Sequence, residues 1–152
     1  YTKNEFNNLS KSEIKQYLKT GFFQIFQLGQ EYTIDIVNKN YVPQYIVPRK
    51  RIKVVDGQIT KGEIVLDQKL INFAKKIIKI FKIKGHACLQ CIVHKGKIYF
   101  IELNPRFGTG MSLSELGGAD LTEFILNNKL KPLNYKVKKV KFSRYWGEVR
   151  LR

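Results

Sequence analysis

The sequence is poor in several features that define whole classes of protein. It has two cysteines in 152 residues, which excludes a disulfide framework and favours a reducing, cytoplasmic environment. No apolar run approaches the roughly 20 residues that cross a bilayer, so we expect neither a transmembrane segment nor a membrane partner. The chain begins with neither a signal peptide nor an initiator Met. We therefore expect residues 1–5 to come from the interior of a longer protein.

Acidic residues are also scarce, and basic residues are abundant. The chain has 28 Lys and Arg against 12 Asp and Glu, a net charge of +16, which attracts phosphates of any kind. Only six of the basic residues are Arg, whereas proteins that read nucleic acids favour Arg for its bidentate and stacking contacts. A basic nucleic-acid-binding domain is therefore an alternative and not the leading interpretation.

The residues that are present predict a folded α+β chain. Apolar residues make up 43% of the sequence, enough for a core, and we expect a single domain over 1–152. A capping box at Ser10–Glu13 predicts a helix to about Lys19 that ends at Gly21. Alternating and apolar patterns predict strands at 22–28, 31–38, 41–47, 49–55, 58–66, 86–94 and 97–103 and helices at 67–84, 112–117 and 120–128. This order predicts an antiparallel β-sheet backed by helices, with a basic strand-like tail over 129–152.

One strand carries side chains suited to a metal ion. Glu102 and Asn104 lie two residues apart, so they project from one face with Cα atoms about 6.5–7 Å apart. A carboxylate and an amide oxygen are hard ligands that suit Mg²⁺. Arg106 follows on the same side, and its planar fork suits phosphate or carboxylate. If the preceding hairpin closes near 95–96, Gln90 lies opposite Glu102 and offers another oxygen. The alternative is a solvent-exposed polar face of an edge hairpin.

Other clusters leave two interpretations open. The basic hairpin residues Arg49, Lys50, Arg51 and Lys61 either contact the phosphate of a ligand or an acidic substrate, or form a solvated edge. Glycines in the loop after Asn104 and near 117–118 either let an anion approach closely or form plain turns. Asp35 is expected at the surface. Cys88 and Cys91 lie three apart on a strand and point to opposite faces, which argues against zinc.

The motifs, taken in order, resemble the ATP-grasp superfamily, and within it the ligases similar to the large subunit of carbamoyl phosphate synthase. The resemblance covers about residues 21–128. It rests on the segments 23–36, 47–52, 60–62, 88–91, 100–108 and 114–120. It implies the C-terminal ATP-grasp subdomain, and the chain is too short before residue 22 for the upstream subdomain of that family. The chain is therefore interpreted as the C-terminal part of an ATP-grasp domain, inactive by itself.

The resemblance also implies roles for individual residues. Glu102 and Asn104, with Gln90 as the third position, would bind Mg²⁺ or Mn²⁺ that bridges the phosphates of ATP. Arg106 would hold the transferring phosphate or the acyl phosphate, and Glu31 would bond the ribose hydroxyls. The segment that includes Gln24 and Phe26 would face the adenine.

The implied activity is an ATP- and Mg²⁺-dependent ligase that joins a small carboxylate to an amine or thiol through an acyl phosphate. Ile25 stands where the family usually has an acidic residue. This departure supports a second hypothesis, a nucleotide-binding module that has lost catalysis. The carboxylate, the nucleophile and the oligomeric state are not determined by the sequence.

Overall fold

The alternating segments form one antiparallel sheet in the computed structural model, which describes residues 3–127 and 132–145. Its strands run in the order β5-β4-β1-β2-β3-β6. Their bounds are β1 Gln30–Lys39, β2 Val42–Val55, β3 Gln58–Ile64, β4 His86–His94, β5 Lys97–Asn104 and β6 Lys141–Ser143. The helices are α1 Lys3–Asn7, α2 Lys11–Thr20, α3 Gln68–Ile80, α4 Met111–Leu116 and α5 Leu121–Asn127. The predicted α+β class is confirmed.

One face of the sheet packs against α3. The apolar stripe of this helix includes the buried residues Leu70, Ala74 and Ile78, since apolar residues three or four apart share one side of a helix. On the sheet, every second residue of a strand points toward α3. Ile34 and Leu89 are among these residues and pack against the helix. The result is the larger of the two apolar clusters.

The opposite face of the sheet is covered only in part. Apolar residues at one end, such as Val47 and Ile64, pack against Leu121 and Phe124 of α5. Polar residues continue the same face toward β4 and β5. A row across four strands joins Glu102, Gln90, Thr33 and Arg49, which follow one another in the strand register.

Strand β5 contains one extra residue. Near the turn, Cys91 pairs with Phe100, but the next pair is Gln90 with Glu102, so that Ile101 is unpaired in the register. Such a bulge shifts the alternation by one residue. Phe100 therefore lies on the α3 side, where its ring stacks on Phe81 with centroids 6.0 Å apart, while Glu102 lies on the opposite side.

The predicted strand at 22–28 is wrong. These residues have no regular secondary structure, and Phe22, Ile25 and Phe26 are exposed to 81%, 90% and 83%. A strand needs a neighbour for its backbone groups, and both sides of the adjacent β1 are taken, by β2 and by β4. The capping box that precedes this segment is confirmed, with reciprocal bonds between Ser10 and Glu13.

Several boundaries also differ from the sequence prediction. The predicted strands 41–47 and 49–55 form one 14-residue strand, β2. The central helix ends at Ile80 and not at 84, because Lys82 has a φ of 50° and turns the chain away. The basic tail contributes β6, while the predictions for residues 128–131 and 146–152 lie outside the described residues. No helix in the described ranges is both long and apolar enough to span a bilayer.

Asp35 is buried and not at the surface as predicted. It is 2% exposed and forms a two-point ion pair with Arg49, itself 1% exposed, with Nε–Oδ2 at 2.8 Å and Nη2–Oδ1 at 3.0 Å. The hydroxyl of Ser114 donates a hydrogen bond to the same carboxylate. Sequence periodicity shows which side chains share a face but not that α4 covers this part of it.

We expect Asp35→Asn to lower the free energy of unfolding by about 3–5 kcal/mol, because it leaves the charge of Arg49 buried without a counter-ion. The matched control is Glu63→Gln, which removes a partly exposed ion pair to Lys50 of 3.7 Å and should cost less than about 1 kcal/mol. Urea unfolding followed by circular dichroism measures both. Equal, small losses in the two variants would contradict a structural role for the buried pair.

Candidate functional site

The three residues proposed as metal ligands meet on one face of the sheet. Gln90 of β4 pairs directly with Glu102 of β5, and Asn104 follows two residues later on the same face. The Gln90 amide nitrogen lies 2.6 Å from Oε1 of Glu102, and the Asn104 amide nitrogen lies 2.8 Å from the same oxygen. The predicted pairing of Gln90 with Glu102 is thus confirmed, and the three side chains form one hydrogen-bonded cluster.

Arg51 extends this cluster across the sheet. Its Nη1 lies 3.0 Å from the Glu31 carboxylate, 3.3 Å from Oε1 of Gln90 and 3.4 Å from the Thr33 hydroxyl. Its Nη2 donates to the carbonyl oxygen of Gly57 at 2.8 Å. Glu31 is therefore linked to the cluster through Arg51, a connection that the sequence did not indicate.

A cavity of about 210 Å³ lies beside the cluster. Its lining residues come from the five strands β1 to β5, the β2–β3 turn and the loop after β5. They are Thr33, Arg49, Arg51, Asp56, Gly57, Gln58, Ile59, Cys88, Gln90, Asn104, Arg106, Gly108, Thr109 and Gly110. Sites for whole ligands commonly span about 300–1,000 Å³, so this cavity suits a phosphoryl or carboxylate group and not an entire nucleotide.

Three arginines line the cavity, and two of them, Arg49 and Arg106, differ in their surroundings. Arg106 is exposed, and its Nη1 donates to the carbonyl oxygen of Phe107 at 3.1 Å. Arg49 is held by Asp35, but its Nη1 is buried and has no hydrogen-bond partner in the described part of the chain. Of the two interpretations of Arg49, the solvated edge is excluded, since the residue is 1% exposed.

Other residues predicted for the site lie apart from it. Gln24 and Phe26 belong to the exposed segment without regular secondary structure. Lys61 is exposed on β3, where it pairs with Ser143, and it is not among the residues that line the cavity. A larger cavity of about 640 Å³ lies between residues 63–68 and 139–141. None of the predicted site residues line it.

Glycines bring the loop after β5 close to the sheet. A Cβ atom on Gly108 would lie 2.8 Å from Sγ of Cys88, and one on Gly110 would clash with the guanidinium of Arg49. The loop can therefore lie against these side chains only because both positions lack a side chain. The described contacts of Gly108 and Gly110 are to the protein's own residues, so the approach of an anion to this loop stays a prediction.

Arg144 connects this loop to the neighbouring hairpin, and sequence reasoning missed it. Its Nη2 donates to the carbonyl oxygen of Thr109 at 3.0 Å, and its Nη1 lies 3.3 Å from Oε1 of Gln58. Its backbone N–H donates to the carbonyl oxygen of Thr60 at 2.7 Å. Thr109 and Gln58 both line the cavity. Arg144 and Thr109 are 35 residues apart in the sequence, so only the three-dimensional structure identifies Arg144 as the residue that connects loop and hairpin.

The two cysteines are separate thiols. Cys88 faces the cavity, whereas Cys91 lies in the apolar cluster under α3. Burial, with a smaller contribution from the Asp35 carboxylate, raises the pKa of Cys88 to about 11. Burial, helped by Glu31, raises the pKa of Cys91 to about 12. Among residues 3–127 and 132–145, no three His, Cys, Asp or Glu side chains come together as a metal site.

Comparison with known proteins identifies the family. A family model described as "ATP-grasp in the biosynthetic pathway with Ter operon" matches residues 25–145. The chain belongs to this ATP-grasp family. Carbamoyl phosphate synthase large chains from two strains of Clostridium perfringens are 33% identical to the ATP-grasp chain over 75 residues, which is 46% of this chain and 7% of theirs.

Solved structures have the same fold. A biotin carboxylase from Campylobacter jejuni, in complex with β-γ-ATP, matches 84% of the ATP-grasp chain with a TM-score of 0.60 and 21% identity. An L-amino acid ligase from Bacillus licheniformis matches 71% with a TM-score of 0.55 and 19% identity. The chain covers 32% and 31% of these two proteins. It therefore spans about a third of their length.

The donor set of the ATP-grasp chain fits Mg²⁺. Glu102 is exposed and supplies a carboxylate, and Asn104 and Gln90 bring amide groups within hydrogen-bond distance of it. Mg²⁺ is usually held by one or two carboxylates together with the phosphates of a substrate, and not by a complete protein cage. One carboxylate beside a cavity lined by arginines meets that requirement.

Both thiols should resist alkylation in the native protein, because their raised pKa values keep them protonated and their burial excludes the reagent. We expect slow reaction with iodoacetamide at pH 8 and rapid reaction of both after unfolding in guanidinium. The folded pKa values exceed those of unfolded thiols, about 8.5, so their contribution to stability is complete below that pH. It is lost as the pH rises toward 11–12. Single Cys→Ser variants assign the reacting thiol, and fast native-state labelling of Cys91 would contradict the burial.

Replacing Arg144 by Gln should loosen the loop over the cavity, since the carbonyl oxygen of Thr109 loses its donor. We expect faster amide hydrogen exchange at residues 108–110, with exchange in α3 unchanged, and a loss of about 1 kcal/mol in stability. Lys61→Gln removes a charge from the neighbouring strand, opposite Ser143 and outside the lining of the cavity, and serves as the matched control. Unchanged exchange at 108–110 in the Arg144 variant would show that this contact does not hold the loop.

Proposed function

We propose that this chain supplies the metal- and phosphate-binding half of the active site of an ATP-grasp ligase. The reaction would join a small carboxylate to an amine or a thiol at the expense of ATP. The observation that carries the proposal is the convergence of Gln90, Glu102 and Asn104 beside a cavity that Arg106 lines. Membership of the ATP-grasp family supports the reaction class.

The proposed chemistry has two steps. A carboxylate oxygen of the substrate attacks the γ-phosphorus of ATP, the bond to ADP breaks, and an acyl phosphate forms. The amine or thiol then attacks the acyl carbon, loses its proton, and displaces inorganic phosphate. Catalysis of the first step depends mainly on positioning and on stabilising the charge of the phosphoryl group.

The residues of this chain have separate parts in that scheme. Glu102 and Asn104 would hold Mg²⁺, which neutralises phosphate charge when it is bound, and Gln90 completes their cluster. Arg106, exposed at the cavity, would bind the transferring phosphoryl group through its planar fork. Arg49 adds a buried Nη1 to the residues that line the cavity. Glu31 would bond the ribose, with its carboxylate positioned by Arg51.

The small volume of the cavity supports the proposal that other parts of a longer protein complete the ATP site. A space of about 210 Å³ accommodates a phosphoryl or carboxylate group. The exposed apolar segment 22–28, with Gln24, Phe26 and Ile25, is proposed to meet the adenine only when an upstream subdomain completes the site. Residues 1–152 are accordingly proposed as the C-terminal part of an ATP-grasp domain, without turnover in isolation.

The full-length protein carrying Glu102→Gln together with Asn104→Ala should lose ATP turnover by a factor on the order of 10²–10³, the effect of removing groups that stabilise charge in a transition state. Steady-state ADP release, measured with candidate carboxylates and amines, gives the comparison. Glu63→Gln with Asn72→Ala makes the same chemical changes away from the cavity and should leave turnover near the native rate.

Undiminished turnover in the Glu102 and Asn104 variant would contradict the proposal. Binding of ATP without hydrolysis by the native full-length protein, across all candidate substrates, would instead favour a nucleotide-binding module that has lost catalysis.

A further inference from the structure

The ring of Phe107 stacks on the imidazole of His86 in a nearly parallel arrangement. The ring centroids are 3.9 Å apart, and the ring planes differ by 7°. His86 is the first residue of β4 and pairs with Val37 of β1, so these two side chains project from the same face of the sheet. Phe107 belongs to the loop after β5. The stack therefore joins this loop to the beginning of β4.

Phe107 follows Arg106 directly and is hydrogen-bonded to it. Nη1 of Arg106 donates to the carbonyl oxygen of Phe107 at 3.1 Å, and the backbone N–H of Arg106 donates to the carbonyl oxygen of Asn104 at 2.8 Å. Within residues 3–127 and 132–145, no hydrogen bond connects residues 105–107 to an element other than β5. Hydrogen bonds thus do not fix where these three residues lie on the sheet.

The side chain of Phe107 provides the missing attachment. Its ring is half-buried and packs against the apolar cluster that contains Val37 and Val47, while the exposed imidazole of His86 stacks on it. An aromatic pair adds stabilisation beyond the area that it buries, and the planar contact favours one orientation of the ring. The later part of the loop is held separately, by the contact of Gly108 with Cys88 and by Arg144.

From these contacts we infer that His86 is a positioning residue for Arg106 and acts through Phe107. The stack sets where residues 105–107 lie, and thereby where the Arg106 guanidinium meets an anionic group in the cavity. Neither His86 nor Phe107 lines the cavity itself. The inference rests on the role proposed for Arg106 and adds to it a residue from another strand.

Variants at position 86 of the full-length protein separate the ring from the other properties of the histidine. We expect His86→Ala to lower kcat for ADP release by about tenfold, because small displacements of a group that stabilises transition-state charge are costly. The KM for ATP should change by less than about twofold, since an interaction that strengthens in the transition state acts on kcat. His86→Tyr keeps a planar ring and should restore kcat. His94→Ala makes the same change as His86→Ala at the other end of β4 and should leave both constants native.

A second variant tests the contact from the side of the loop. Phe107→Leu keeps an apolar side chain against the cluster and removes the ring. In proton NMR spectra of the full-length protein, the imidazole resonances of His86 are identified by their absence in His86→Ala. They should move downfield in Phe107→Leu, because the ring that shields them is lost. The double variant should be no slower than the slower single variant, since both substitutions remove the same interaction.

A native kcat in His86→Ala, or a kcat in His86→Tyr as low as that of His86→Ala, would overturn the inference and leave the proposed function intact. Additive losses in the double variant, or unshifted imidazole resonances in Phe107→Leu, would have the same consequence. Native turnover in Arg106→Ala would overturn the role proposed for Arg106 and this inference with it. The two failures are distinguishable because the Arg106 variant is measured in the same series.

Discussion

The buried ion pair between Asp35 and Arg49 is the constraint on which the rest of the candidate site depends. Both side chains project from the face of the sheet that the loop after β5 and α4 cover. Two charges in this environment are tolerable only if each is well paired, because the desolvation penalty is large. The two-point geometry and the added hydroxyl of Ser114 meet that condition.

This pair also explains why the covering loop is rich in glycine. Gly110 lies directly against the guanidinium and Gly108 against Cys88, so the loop approaches the sheet as closely as backbone allows. Arg144 then connects the loop to the β2–β3 hairpin from the other side. The cavity is thus bounded by polar groups whose positions are fixed by one another and not by apolar packing alone.

Much of this arrangement follows from sequence patterns, and the exceptions have a common cause. A turn at 95–96 was enough to predict a hairpin that brings Gln90 near Glu102, because a hairpin is a local structure, but their direct pairing also needs the bulge at Ile101. The burial of Asp35 and the contacts of Arg144 depend on which distant segments cover a face, and alternation does not contain that information. The apolar segment 22–28 has strand-like composition, but the adjacent strand β1 is already paired on both sides, by β4 and β2.

The unpaired Ile101 gives strand β5 two halves that are out of phase. Continuing the alternation of Ile98 and Phe100 without a bulge would bring residue 102 opposite Leu89, in the apolar layer beneath α3. The carboxylate is on the polar side only because the strand skips one step between Phe100 and Glu102. Its location is encoded by spacing and not by composition. Gain or loss of a single residue beside Ile101 would therefore exchange the core-facing side chains of this half of the strand with those on the polar face.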